Sequence, residues 1–468
     1  MSSQATGGST PATRPTDLGH GLKTRHLTMM GLGSAIGAGL FLGTGVGIQA
    51  AGPAVLIAYM IAGGIVVLVM QMLGELAAAR PESGSFSIYG EQAFGHWAGF
   101  SLGWLYWFML TMVMGAEMTG AAAMMGAWFG VEPWIPALIC VVFFAVVNLA
   151  QVRGFGEFEF WFAFVKVAVI LGFLVIGLLL IFGLLPGHDF VGTSNFLGHG
   201  FMPNGLSGVA TGLLAVAFAF GGIEIITIAA AESENPRRAI AVAVRSVIWR
   251  ISLFYLGSVL IITFLMPYDT IQGADTAAES PFTIILGMAN IPGVVGFMET
   301  VIVLALLSAF NAQIYATSRL VHSLAARGDA PKIFAKTNHR AVPTAAVLLS
   351  MFFAFVSVGL QYWNPPGLLT FLLNAVGGCL IVLWAMIALS YLRLHPQLEK
   401  SGELTDLRMW GHPWLPILSL VLIAGLVVLM LSDASSRAQI WSVAIIFSAI
   451  VALSFTTRKR AAAIAAAQ

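Results

Sequence analysis

The sequence predicts an all-α polytopic membrane protein with twelve transmembrane helices, and three observations carry that reading. Of 468 residues, 58% are apolar and only 9% are charged, against roughly 25% charged in an ordinary soluble domain. Twelve apolar windows each reach about 20 residues, the length that crosses a bilayer. The lysines and arginines between these windows fall almost entirely on one side.

The elements follow in order. Residues 1–26 are polar, rich in Gly, Ser, Thr and Pro, and lack the apolar core of a cleavable signal peptide. They read as a disordered cytoplasmic tail. The spans then fall at roughly 28–48, 53–79, 97–127, 134–151, 157–185, 205–231, 241–266, 294–325, 343–361, 367–392, 412–432 and 438–456. Residues 281–290 read as a short surface helix, separated from the eighth span by Ile291-Pro292-Gly293. Residues 457–468 form a cytoplasmic C-terminal tail.

Charge sets the orientation. Lys23 and Arg25 precede the first span, Arg80 follows the second and Arg153 the fourth. Arg237 and Arg238 follow the sixth; Arg327, Lys332, Lys336 and Arg340 follow the eighth. Arg393 and Arg408 follow the tenth, and Arg458-Lys459-Arg460 follows the twelfth. All but Arg437 and Lys166 of the 22 lysines and arginines lie on this side, so both termini are expected in the cytoplasm. Cys140 and Cys379 lie inside apolar segments, which leaves no disulfide framework and no zinc spacing. No metal or other cofactor is expected.

Two spans are interrupted. Gly33-Ser34-Ala35-Ile36-Gly37-Ala38-Gly39 lies in the first and Phe218-Ala219-Phe220-Gly221-Gly222-Ile223-Glu224 in the sixth. Glycine costs roughly 1 kcal/mol relative to alanine in a helix interior. Unwound backbone at membrane depth is tolerated only where it faces protein, water or a ligand. A matched pair of breaks, one per half, points to a transporter's binding site. Five spans separate the two, so spans 1–5 (about 27–185) and 6–10 (about 205–392) are expected as oppositely oriented repeats. The last two spans (about 412–456) are additions that complete a transmembrane transporter domain over 27–456.

The half-helix after the first break offers N–H groups and the positive end of a dipole, a site for a carboxylate. The competing reading is close helix packing through small residues, since Gly33 and Gly37 share that spacing. Glu224 is an ionisable group deep in an apolar run, a functional hypothesis by default. It could receive an ammonium group, carry a proton, or simply bond to the broken backbone. Phe218 or Phe220 could close over a ligand.

Lys166 lies about ten residues into the fifth span, close to 15 Å deep at 1.5 Å per residue. It is either a fixed internal cation or a proton carrier. Glu117 sits among small residues in the third span and is read as a cavity-facing carboxylate for amine or proton handling, with an interhelical hydrogen bond as the alternative. Glu75, near Arg80, reads as part of a rim network.

These residues resemble a known family. Lys23-Thr24-Arg25-His26 leading into Gly33-Ser34-Ala35-Ile36-Gly37-Ala38-Gly39-Leu40-Phe41 looks like the opening of bacterial permeases of the amino acid/polyamine/organocation superfamily. Gly84-Ser85-Phe86-Ser87, Phe155-Gly156-Glu157-Phe158-Glu159, Ala229-Ala230-Ala231-Glu232-Ser233-Glu234-Asn235-Pro236 and Ala316-Thr317-Ser318-Arg319 match the same pattern. The likeness runs from about residue 21 to 455 and is similar to the amino acid transporter, GABA-permease-like branch.

The resemblance implies two inverted five-helix repeats in a LeuT-like arrangement, alternating access and proton-coupled uptake at the bacterial plasma membrane. It implies an α- or ω-amino acid as small-molecule substrate, protons as the coupled ion and the lipid bilayer as surroundings, with no role for nucleic acid. The backbone of Ser34, Ala35, Ile36, Gly37, Ala38 and Gly39 would hold the substrate carboxylate. Carbonyls from Phe218 to Gly221, with Phe220 and Glu224 nearby, would receive the amino group. Phe218 matches an occluding aromatic. Lys166 matches a lysine whose ammonium takes the place of a sodium ion near Ser308. Lys166, Glu117 and Glu224 would carry the proton coupling. An exchanger without net proton flow, or an amino acid sensor, remains the alternative.

Overall fold

The computed structural model describes residues 36–82, 85–150, 155–224, 236–271, 280–338 and 342–465. Among them the chain is all-helical, with no strand. A π-helical turn, Gly39–Gly43, leads into α1 (Thr44–Ala51). A short 3-10 turn at Gly52–Ala54 joins it to α2 (Val55–Ala79). There follow α3 (Phe86–Phe94), α4 (His96–Phe129), α5 (Trp134–Ala150), α6 (Phe155–Ile181), the one-turn α7 (Ser194–Leu197) and α8 (Gly205–Ala219). The second half holds α9 (Pro236–Trp249), a π segment Arg250–Leu256, α10 (Gly257–Leu265), α11 (Pro281–Met288) and α12 (Val294–Arg327). It closes with α13 (Thr344–Trp363), α14 (Leu368–Ser401), α15 (Trp414–Ser432) and α16 (Ala434–Ala465).

Among the described residues, nine helical runs are long and apolar enough to cross a membrane, and two shorter apolar helices, Trp134–Leu149 and Gly205–Ala219, accompany them. Most expected spans find a helix within a few residues of their limits. Two run on: α14 continues to Ser401 and α16 to Ala465. The expected surface helix at 281–290 is instead turned inward. On α11, Phe282 is fully buried, with its ring 5.2 Å from that of Phe41 and 4.6 Å from that of Phe173.

The core is built on α4 and α12, which pack along one another, with α14 against α4 and α8, and α1 against α8. The last helix lies outside it, leaving Trp441, Ile445 and Phe455 exposed. Exposed apolar side chains on a helix of this length are what a lipid-facing surface requires.

One end of the bundle is tied by charge. Arg80, just past α2, pairs with Glu403 after α14 through Nε–Oε2 at 2.6 Å and Nη2–Oε1 at 2.9 Å. The guanidinium pulls the Glu403 carboxyl down to about 2. Arg327 at the end of α12 donates to Glu91 and Ser87 of α3, at 3.0 Å each. Asp329, buried beyond α12, bonds His96 at 2.7 Å. Burial raises the Asp329 carboxyl against the opposing pull of Arg327 and His96. Charges taken out of water are costly unless paired, and here each has a partner on another element.

Candidate functional site

At the first interruption, Ile36 and Gly37 form a bend and helix begins at Ala38. Ser34 and Ala35 lie outside the described residues. The amides of Leu40 and Phe41 both bond the Gly37 carbonyl, at 3.1 Å. Such a shared carbonyl, taking one i+3 and one i+4 amide, is usual at a helix start, and the π turn Gly39–Gly43 follows from it. The first free amide, Ala38 N–H, points to Glu117 of α4 and meets both carboxylate oxygens at 3.1 Å. A Cβ on Gly37 would stand 2.5 Å from Glu117 Oε1, so a larger residue there would make the flexible carboxylate shift. Glu117 therefore occupies one of the amides that the sequence assigns to a ligand carboxylate. The dipole argument for an anion here is met by the protein's own side chain.

The second interruption ends α8 at Ala219. Phe220 N–H returns to Ala217 O and Gly221 N–H to Phe218 O. Gly222 then takes φ +90°, a left-handed conformation that glycine adopts without cost. Residues 225–235 lie outside the description, so the far side of the break is not traced. The carbonyl of Ala219 accepts the Tyr255 hydroxyl at 2.6 Å. Glu224 is buried and turns back: Oε2 accepts Gly222 N–H at 3.2 Å and Oε1 accepts Trp384 Nε1–H of α14 at 3.3 Å.

The two interruptions touch. A Cβ on Gly39 would stand 2.6 Å from Ala219 Cα, and one on Gly43 would stand 3.6 Å from the Phe218 ring. Phe218 thus lies across the π turn of the first break. Phe220 faces the other way, its ring 5.9 Å from that of Tyr59 and 5.0 Å from that of Tyr255. Tyr59 in turn shares a hydrogen bond of 3.1 Å with Thr44 of α1. Phe41 O, in the π turn, accepts the Ser280 hydroxyl at 2.9 Å.

Lys166 is buried on α6 and its Nζ donates to Ser308 Oγ of α12 at 3.1 Å. A cavity of about 140 Å³ lies beside it, lined by Trp161, Phe162, Val165, Val301, Leu304 and Ala305.

The structure thus brings Gly37 and Ala38 to Glu117, and Gly39 and Gly43 to Ala219 and Phe218, while Phe220 packs on Tyr59 and Tyr255 and Glu224 turns to Gly222 and Trp384. Lys166 belongs to the α6–α12 seam. Tyr255, Trp384 and Ser280 were not singled out from the sequence. Of these only Trp384 carried a signal, a polar N–H inside a long apolar run. Glu75 also differs from the expected rim position: it is fully buried and bonded to α14.

Residues 26–457 match the family model described as amino acid permease. The aromatic amino acid transport protein AroP of Corynebacterium glutamicum is 79% identical over 94% of this chain and 95% of its own length. The gamma-aminobutyric acid permease of Bacillus subtilis is 39% identical over 94% of this chain and 93% of its own, and that of Escherichia coli 40% over 94% of each. Among solved structures, a manganese transporter of Eremococcus coleocola superposes with a TM-score of 0.57 at 14% identity, over 96% of this chain and 98% of that one. That likeness shows the fold alone. With the family match covering nearly the whole length, the chain belongs to the amino acid permease family, whose members are membrane transport proteins rather than enzymes.

Proposed function

We propose that this chain is a secondary transporter that imports an aromatic amino acid across the bacterial plasma membrane, coupled to protons, by alternating access. The observation that carries the substrate class is the 79% identity to a protein named for aromatic amino acid transport. The arrangement proposed is twelve spans in two inverted five-helix repeats plus two C-terminal helices, with both termini cytoplasmic. What supports it is the charge bias of the loops and the two interruptions five spans apart. The domain limits proposed are a tail over 1–26, the transporter over 27–456 and a second tail over 457–468.

In this reading the substrate is held as a zwitterion. Its carboxylate takes the amides of Ser34 to Gly39, displacing Glu117 from Ala38 N–H. Its ammonium faces the carbonyls of Phe218 to Gly221 and the carboxylate of Glu224, and Phe218 closes over it. A buried carboxylate deprived of its donor is costly, so a proton accompanies the displaced Glu117. Lys166, bonded to Ser308, supplies the internal cation that balances these carboxylates, and Glu224 shares the proton handling.

Uptake of labelled phenylalanine, tyrosine and tryptophan into proteoliposomes under an imposed pH gradient tests the proposal, with gamma-aminobutyrate as a comparison. Gradient-driven accumulation of an aromatic amino acid is the expected result. Accumulation that ignores the gradient but needs amino acid inside would make the protein an exchanger. Binding without uptake in either mode would make it a sensor.

A further inference from the structure

Glu75 lies one turn before the end of α2, fully buried. Its oxygens are met from two directions. Oε1 bonds His395 Nδ1, and Oε2 accepts the Tyr391 hydroxyl at 3.2 Å. Tyr391 and His395 stand one turn apart on α14, so they share a face. Oε2 also accepts the Met409 amide at 2.6 Å, from the segment 402–413. That segment brings a second imidazole: the His412 ring stacks on His395 with centroids 3.9 Å apart. His412 Nδ1 is buried without a hydrogen-bond partner. Next to Glu75, a Cβ on Gly74 would stand 2.6 Å from Val244 of α9 and 3.2 Å from Leu407. The end of α2 is therefore clasped, and Arg80–Glu403 fastens it a second time from outside.

We propose that Glu75 is a positioning residue of the transport cycle: with His395 and His412 it forms a proton-sensitive latch tying α2 to α14 and to segment 402–413. On the proposed topology this latch faces the cytoplasm. One imidazole beside Glu75 makes a charge-assisted bond. Two protonated imidazoles stacked face to face repel, and only the exposed segment is free to move away. The charges that reach His412 are those of His395, Glu75 and Glu399. Burial lowers the His412 imidazole, and His395 lowers it further against the pull of Glu75 and Glu399. The latched state thus binds fewer protons at His412 than the released state, so falling cytoplasmic pH releases it. Histidine is the side chain suited to report pH in this range.

The latch is tested without assuming any transported substrate, by hydrogen exchange of segment 402–413 in the full-length wild-type protein. After correction for intrinsic rates, exchange at Met409 should rise about tenfold between pH of about 7.5 and about 5.5. Protection that stays constant across that range overturns the latch. The link to turnover rests on the proposed import reading and is tested in cells with internal pH clamped by a permeant weak acid at fixed external pH. The wild-type initial rate of phenylalanine uptake should change about threefold over the same range. His412→Phe, which keeps the stack, and Glu75→Gln should both flatten that dependence and leave KM within about twofold. A variant that keeps the wild-type internal-pH profile overturns the positioning role. A wild type that moves no amino acid at all removes the import reading and leaves the exchange test standing.

Discussion

Glu117 on α4 accepts the Ala38 amide with both carboxylate oxygens, at 3.1 Å each, across 79 residues of sequence. The contact joins the scaffold helix to the first interruption. Hydrogen bonds to charged groups contribute about 1.5–3 kcal/mol, which is about ten- to hundredfold in an equilibrium. In the proposed cycle the substrate displaces this bond and Glu117 takes the proton, so Glu117→Ala should lower gradient-driven uptake and change its pH profile, whereas Glu117→Gln should keep folding and lose only the pH dependence. Proteoliposome uptake against pH checks both. Unchanged affinity and profile in Glu117→Ala would return the residue to a purely structural hydrogen bond.

Gly37 and Gly39 separate by what an added methyl meets. At Gly37 it meets the flexible end of Glu117, and at Gly39 it meets the Ala219 backbone. Overpacking costs about 1–3 kcal/mol when neighbours must shift. Gly39→Ala should lose more thermal stability and more uptake than Gly37→Ala. Equal losses, or the reverse order, would show that the two interruptions are not in backbone contact.

Lys166→Met keeps an unbranched apolar stem one atom shorter and removes the ammonium that donates to Ser308. The substitution is expected to abolish accumulation against a concentration gradient while leaving downhill exchange measurable. The accumulation ratio at steady state under an imposed pH gradient is the readout. A mutant that concentrates substrate normally removes Lys166 from coupling.

Tyr255→Phe takes away the donor to Ala219 O. A buried carbonyl left without it costs about 1–3 kcal/mol. The unfolding temperature should fall by a few degrees, and Trp384→Phe, which takes a donor from the buried Glu224 carboxylate and leaves part of the indole volume empty, should act more strongly. Thermal unfolding in detergent distinguishes the two.

Most helix positions, the end of α8 at the second glycine cluster and the outlying charges were legible because each is a local signal. A glycine cluster or a single carboxylate stands out from an apolar run without knowledge of the rest of the chain. Partners were not legible. Glu75 looked like a rim residue from its five-residue distance to Arg80, yet its partners Tyr391 and Met409 lie 316 and 334 residues away. Tyr255 and Ser280 look like any hydroxyl in or near a span until a carbonyl is freed opposite them. The helix at Pro281–Met288 read as superficial because eight residues are too few to show which side is buried; Phe282 decides it by filling the space between Phe41 and Phe173.

The close approach of Gly39 to Ala219 has a mechanical consequence. Where two helices meet through long side chains, small displacements are lost in changes of rotamer. Here main chain rests on main chain, with no torsion between them to take up slack. A push on the π turn at Gly39 or on the end of α8 is passed to the other with little slack, so these two segments answer to one movement.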